Sequence, residues 1–212
     1  MKIKRVEFAG AIGQVGQAPP GVLPQIAFSG RSNVGKSSLI NRLLGRTRTH
    51  VARVSARPGK TQEINFYEVD ASLDDGRPVR FYLVDLPGYG YAKVPQSLRE
   101  KWRPLIEGYL RGSRELLGVV QLIDARHGPT ADDLRMVDYL AQTQIPALFV
   151  LTKVDKLRAR ERESNIPSIA ARLGVDPGDV VPFSSLSGEG REDLLASLES
   201  LLVESRVAEA GG

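Results

Sequence analysis

The 212-residue chain contains no cysteine, which excludes disulfides and thiolate metal sites and fits a reducing compartment. It has no apolar run approaching the roughly 20 residues that a membrane-spanning helix needs. Its opening MKIKRVEFAG has no apolar segment of the kind a secretory leader carries. No internal repeat or low-complexity linker interrupts it. These absences lead to the expectation of a soluble, cytoplasmic, monomeric protein, long enough to bury a full core in one domain. Acidic residues are missing from one stretch in particular: between Arg42 and Lys60 lie Arg46, Arg48, Arg53 and Arg57 and not one Asp or Glu. In a chain whose net charge is only +4, that local run says more than the total. It fits either a surface that tracks a nucleic-acid backbone through phosphate contacts or a solvated loop with no partner.

Residues 1–24 combine a short β-like start (Ile3 to Phe8) with Gly13, Gly16, Pro19, Pro20 and Gly21, an edge strand followed by a loop. Residues 25–207 then alternate apolar strands (Gln25 to Ser29, Ile64 to Asp70, Val79 to Val84, Leu116 to Ile123, Ala147 to Leu151, Val180 to Phe183) with helical stretches. Pro104 should kink or split the helix read from Leu98 to Leu110. Residues 208–212 should fray. Strand-helix alternation requires crossover helices on both faces, so the expectation is a three-layer α/β sandwich with a mostly parallel central sheet and an antiparallel edge strand. In such sheets function collects at the strand C-termini.

One motif follows the first apolar strand of that unit. Gly30, Gly35, Lys36 and Ser37 fill the fixed positions of G-x-x-x-x-G-K-[ST], with Arg31, Ser32, Asn33 and Val34 between them and Ser38 after. Glycines at this spacing let successive backbone N–H groups curl around phosphate oxygens while the next helix presents its positive N-terminus, the phosphate-binding loop of the P-loop fold. Lys36 would reach the β- and γ-phosphates and Ser37 would ligate Mg²⁺.

A phosphate loop alone admits ATPases, kinases and GTPases, so the choice rests on later segments. Asp85, Leu86, Pro87 and Gly88 form D-x-x-G after a strand, where the carboxylate can hold Mg²⁺ through water and the Gly88 N–H can touch a γ-phosphate. Thr152, Lys153, Val154 and Asp155 form T-K-x-D after another, and a carboxylate at Asp155 can accept both N1–H and N2–H of guanine. Taken alone, Asp155 also admits the lesser reading of a cap on the following helix. Phe183, Ser184 and Ser185 end the last strand, where a backbone N–H could reach the guanine carbonyl or simply close a capping turn. In the turn PGKTQ, Gly59, Lys60 and Thr61 are further nucleotide contacts, with Thr61 preferred over Thr47 and Thr49 as the second Mg²⁺ ligand.

Together GRSNVGKSSLIN, RPGKTQ, DLPGYGYAKV, TKVDK and FSSLSGEG resemble the EngB family of bacterial ribosome-biogenesis GTPases, in the TrmE-Era-EngA-EngB-septin class, over nearly the whole chain. The resemblance implies a Mg²⁺-dependent GTPase binding GTP and GDP. It also implies the large ribosomal subunit precursor or its RNA as partner, without DNA specificity or a membrane, and a link to cell division and septation. Lys36, Thr61, Gly88 and Asn33 would then form the catalytic set. Where Ras-like GTPases keep a water-orienting Gln, this chain has Tyr89, so intrinsic turnover should be slow. Asn33 would help hold an activating K⁺ by that same resemblance, or else merely brace the loop. Tyr89, Tyr91 and Trp102, with Lys93 nearby, either stack on RNA or pack internally.

Overall fold

A computed structural model describes residues 1–46, 63–89 and 96–210, with the backbone course alone for 96–102 and 205–210. Seven strands form one sheet in the order β1-β3-β4-β2-β5-β6-β7. They are β1 Lys2–Ile12, β2 Gln25–Gly30, β3 Ile64–Ser72, β4 Pro78–Asp85, β5 Leu116–Asp124, β6 Ala147–Thr152 and β7 Val180–Phe183. Five α-helices are described: α1 Lys36–Leu43, α2 Gln96–Gly112, α3 Ala131–Gln142, α4 Ala159–Leu173 and α5 Arg191–Ala210.

The sheet is mostly parallel for the reason the alternation gives: β2 pairs in parallel with β4 and β5, β5 with β6, and β6 with β7, and helices cross over between β5 and β6 and between β6 and β7. The exceptions are the hairpin β3–β4 and the edge pairing β1–β3, both antiparallel. β1 runs well beyond the Ile3-to-Phe8 start legible in the sequence and carries two register breaks, between Ile3 and Arg5 and between Phe8 and Gly10. Such irregularity, with Lys2, Lys4 and Arg5 exposed, discourages another strand from adding to the open edge.

One face of the sheet is covered by α1 and α5, where Leu39, Ile40 and Leu43 meet Leu194, Leu195, Leu198 and Leu202 over Ile26, Phe28 and Val120. The other face is covered by α2, α3 and α4. Leu105, Ile106 and Tyr109 of α2 pack on Ala27, Phe66 and Val84, and Ile169 and Leu173 of α4 pack with Ile123, Phe149 and Leu151. The central strands are therefore buried on both sides, which is why β2 and β5 read as continuous apolar runs. α2 does not split at Pro104: the helix runs through it, and Pro104 lies on the exposed side, where water can satisfy the carbonyl that the missing N–H leaves free. Pro167 sits on the exposed side of α4 in the same way. Among the described residues no helix is long and apolar enough to cross a membrane.

Candidate functional site

The site lies along the C-terminal ends of β2, β4, β5, β6 and β7. β2 ends at Gly30, and the chain turns through residues 31–35 into α1, whose first residue is Lys36. Both Asn33 (φ 66°) and Gly35 (φ 104°) are left-handed, the curl that aims consecutive N–H groups to one side. Asn is among the few residues other than glycine that accept this conformation readily, so the backbone alone gives Asn33 a reason to be there. Lys36 Nζ is paired with the Asp85 carboxylate at the end of β4, bringing the phosphate-loop lysine and the D-x-x-G aspartate together. Ser37 is half-buried one residue on.

The segment after Asp85 lies directly on the loop. Leu86 N–H donates to Phe28 O at 3.1 Å, prolonging the β4–β2 pairing, and Ser32 N–H donates to Tyr89 O at 2.8 Å. Ser32 Oγ reaches Gly88 O at 3.2 Å. A Cβ on Gly88 would come within 3.1 Å of Ser32 Oγ and 3.3 Å of its N and Cα, a tight fit that a larger residue could make only by pushing the loop back a few tenths of an ångström. The Tyr89 ring turns inward: its hydroxyl donates to Asp133 Oδ1 at 2.7 Å and accepts from Gln121 Nε2. Burial, then the Asp133 charge, hold the phenol ionisation well above its ordinary value, so it remains a donor at all working pH. Asp133 Oδ2 in turn accepts from Thr130 N and Oγ1, both at 2.7 Å, in the capping box of α3.

At the β6 end, Thr152 Oγ1 lies 2.7 Å from Val34 O. Lys153, left-handed at φ 63°, donates from Nζ to Asn33 O at 2.5 Å and to Asp124 Oδ2 at 2.9 Å. T-K-x-D is thus tied to the phosphate loop through two of its carbonyls. Asp155 Oδ1 accepts from Ser184 Oγ at 2.8 Å, while Ser184 Oγ itself accepts from the N–H groups of Leu186 and Ser187 at 3.2 and 3.1 Å. Since Ser184 N–H is already committed to Glu189 O at 3.1 Å, Ser185 is the residue of the FSS segment whose backbone N–H stays available, and Phe183 is core.

The structure therefore brings together Gly30 to Ser38, Asp85 to Gly88, Thr152 to Asp155 and the Ser184–Ser185 turn. Gly59, Lys60 and Thr61, the competitors Thr47 and Thr49, most of the basic run, and Tyr91 and Lys93 lie outside the described residues, as does the Trp102 side chain. Of the basic run, Arg42 directs its guanidinium to Leu186 O at 3.5 Å. Three buried groups were not singled out from the sequence: Gln121 and Asp124 on β5 and Asp133 on α3. The signal was present, since LLGVVQLID is a strand buried throughout its second half in which only Gln121 and Asp124 are polar.

Comparison with known proteins is consistent with this geometry. The family model described as "50S ribosome-binding GTPase" matches residues 25–153, more than half of the chain. The chain is 46% identical over 203 residues to the probable GTP-binding protein EngB of Gemmatimonas aurantiaca, covering 95% of each. It is 43% identical over 212 residues to that of Geobacter sp., covering 100% of this chain and 94% of the relative. Among solved structures, a probable GTP-binding protein engB superposes with a TM-score of 0.65 at 24% identity, covering 85% of this chain and 99% of that one. Era of Aquifex aeolicus bound to GDP and aluminium fluoride gives a TM-score of 0.65 at 23% identity, over 84% of this chain and 56% of that one, a likeness of fold. The chain belongs to the EngB family of GTP-binding proteins, within the 50S ribosome-binding GTPases.

Proposed function

We propose that this chain is a Mg²⁺-dependent GTPase that hydrolyses GTP to GDP and phosphate and acts in the cytoplasm as a monomeric nucleotide switch in large ribosomal subunit assembly. The observation that carries the reading is the meeting of the phosphate loop with Asp85 through Lys36, and with T-K-x-D through Asn33 O and Val34 O, at one end of the sheet. Asp155, aligned by Ser184, has the acceptor character that the guanine edge requires. Asp85 and Ser37 offer the oxygen donors a hard cation takes, and with Thr61 they would hold Mg²⁺, Asp85 through water. Bound there, the ion would neutralise charge developing between the β- and γ-phosphates. This chain's own part is to cradle the phosphates with N–H groups of the loop between Asn33 and Ser38, that of Ser32 being committed to Tyr89 O, to set Lys36 against them, and to present the Gly88 N–H to the γ-phosphate.

Tyr89 faces Asp133 and Gln121, away from the phosphate loop, so it supplies no group to orient the attacking water. Slow intrinsic turnover follows, completed by a partner or by a K⁺ held beside Asn33. Equal rates in K⁺ and Na⁺, unchanged by Asn33→Ala, would remove the ion from the scheme. The basic residues from Arg42 to Lys60 are the proposed contact for ribosomal RNA, and the tie to cell division and septation rests on the family resemblance.

A second reading treats hydrolysis as a reset only, with the protein a GTP-gated binding module. Single-turnover GTP hydrolysis with and without large ribosomal subunits separates the two: strong stimulation supports the partner-completed enzyme, whereas nucleotide-dependent binding without stimulation supports the module. Asp155→Asn should shift preference from guanosine toward xanthosine nucleotides, and an unchanged preference would refute the guanine assignment.

A further inference from the structure

We infer that Asp124 is a positioning residue that sets guanine-nucleotide affinity by locking the phosphate loop and the base-reading loop to each other. The inference rests on the nucleotide site proposed above. Asp124 is the last residue of β5, its side chain is fully buried, and in the parallel register it stands opposite Thr152, the first residue of T-K-x-D. Its Oδ2 takes the Lys153 ammonium at 2.9 Å and lies 3.4 Å from Arg31 of the phosphate loop. The Arg126 guanidinium grips the carboxylate from the solvent side through Nε and a terminal nitrogen, at 3.0 and 2.8 Å.

A carboxylate buried this deeply is retained only when cations and hydrogen bonds answer it, and here the answering groups come from both nucleotide-contacting loops. Lys153 is the link. Its Nζ holds Asn33 O and Asp124 at once, and its Cε lies 3.7 Å from where a Gly35 Cβ would stand. With Asp124→Asn the side chain would still offer Lys153 an oxygen but no charge to hold its ammonium, and the left-handed backbone of Lys153, two residues before Asp155, would lose the restraint of that ion pair. Both loops must hold their positions together for one ligand to touch phosphate and base simultaneously, so loosening their relation weakens binding without removing a ligand contact.

The test measures GDP affinity and release with a fluorescent guanine nucleotide, alongside thermal melting of the nucleotide-free protein. Wild type is compared with Asp124→Asn, Asp124→Glu, Lys153→Ala and the double variant Asp124→Asn with Lys153→Ala. Asp124→Asn should raise the GDP Kd by roughly tenfold or more, mostly through faster release. In the Lys153→Ala background the same change should add little, because the residue acts through Lys153. Asp124→Glu keeps the charge but overfills the site, so it should bind GDP more tightly than the Asn variant even if it melts lower. Should the Asn variant fail to fold, the Glu variant decides: affinity close to wild type despite a lower melting temperature supports the inference, and affinity lost in step with stability overturns it. Wild-type affinity in Asp124→Asn, or factors that multiply in the double variant, also overturn it. Failure of the wild-type protein itself to bind GDP would instead refute the underlying site.

Discussion

Replacing Tyr89 with Phe removes one oxygen from a small buried network and leaves the ring in place. That oxygen donates to Asp133 Oδ1 at 2.7 Å and is the good acceptor that Gln121 Nε2 has, the alternative being Leu122 O at 3.4 Å. Asp133 is only partly deprived, since its Oδ2 keeps the two donors of Thr130. Gln121 fares worse: fully buried, with Oε1 already unpartnered, its amide nitrogen would keep only the long bond to Leu122 O. A hydrogen bond to a charged group together with a newly orphaned buried donor is worth about 2 to 3 kcal/mol. For a domain of this size that is a fall in melting temperature of about 4 to 12 °C, measured by circular dichroism with excess GDP. The sharper assay adds Gln121→Leu. In the wild-type background that change breaks the bond to the phenol, but in the Tyr89→Phe background it removes an unpartnered oxygen and a poorly answered nitrogen and should recover about 1 kcal/mol. Gln121→Leu costing as much in the second background as in the first would refute the network, and so would a Tyr89→Phe protein that melts like wild type.

Three further outcomes follow from the geometry. Gly190, left-handed at φ 75°, would place a Cβ 1.9 Å from Pro182 O, so Gly190→Ala should cost about 3 kcal/mol or more, visible as a large drop in urea midpoint, whereas a wild-type midpoint would contradict the corner between β7 and α5. Ser184→Ala frees the Asp155 carboxylate and leaves two loop N–H groups unanswered, so GDP affinity by calorimetry should fall about tenfold or more, at 1.4 kcal/mol per decade. Burial alone would raise the Asp124 carboxyl, but the hydrogen bonds from Arg126 and Lys153 outweigh it and hold it well below the usual carboxylate range. With the folded value depressed, its contribution is complete above the unfolded value of about 3.9 and is lost as pH falls toward the folded one. Wild type should therefore exceed Asp124→Asn in stability by a constant margin from about pH 5 upward, with the margin shrinking below about pH 4, as denaturant titrations across that range would reveal.

The site was legible where chemistry is encoded by neighbours along the chain. Gly30 to Ser37, Asp85 to Gly88 and Thr152 to Asp155 each combine a spacing with a strand end, and the parallel sheet carries all of them to one edge. Less legible were residues whose meaning depends on distant partners. Asp124 matters because Arg31, 93 residues away in sequence, and Lys153, 29 away, converge on it, and no window of sequence holds all of them. Tyr89 was read by what it cannot do for water, and its contact with Asp133, 44 residues later, needed the packing of α3 on the sheet. Pro104 was expected to kink or split a helix because its side of that helix was not known, and facing solvent the residue is tolerated.

The β3–β4 hairpin has a mechanical consequence. Its register pairs Asn65 with Asp85 at one end and Ser72 with Pro78 at the other, where the turn through Asp75 and Gly76 closes it. Asp85, which opens D-x-x-G, and Asn65, near the start of β3, therefore share one rung, one strand spacing apart, about 4.8 Å. The turn end works like the handle of tweezers whose tips are at the candidate phosphate site. Residues added beyond Ser72 and before Pro78 change the handle and leave the tips aligned. A single residue inserted within either strand would slip every rung, turn alternate side chains to the wrong face and carry Asp85 away from Lys36.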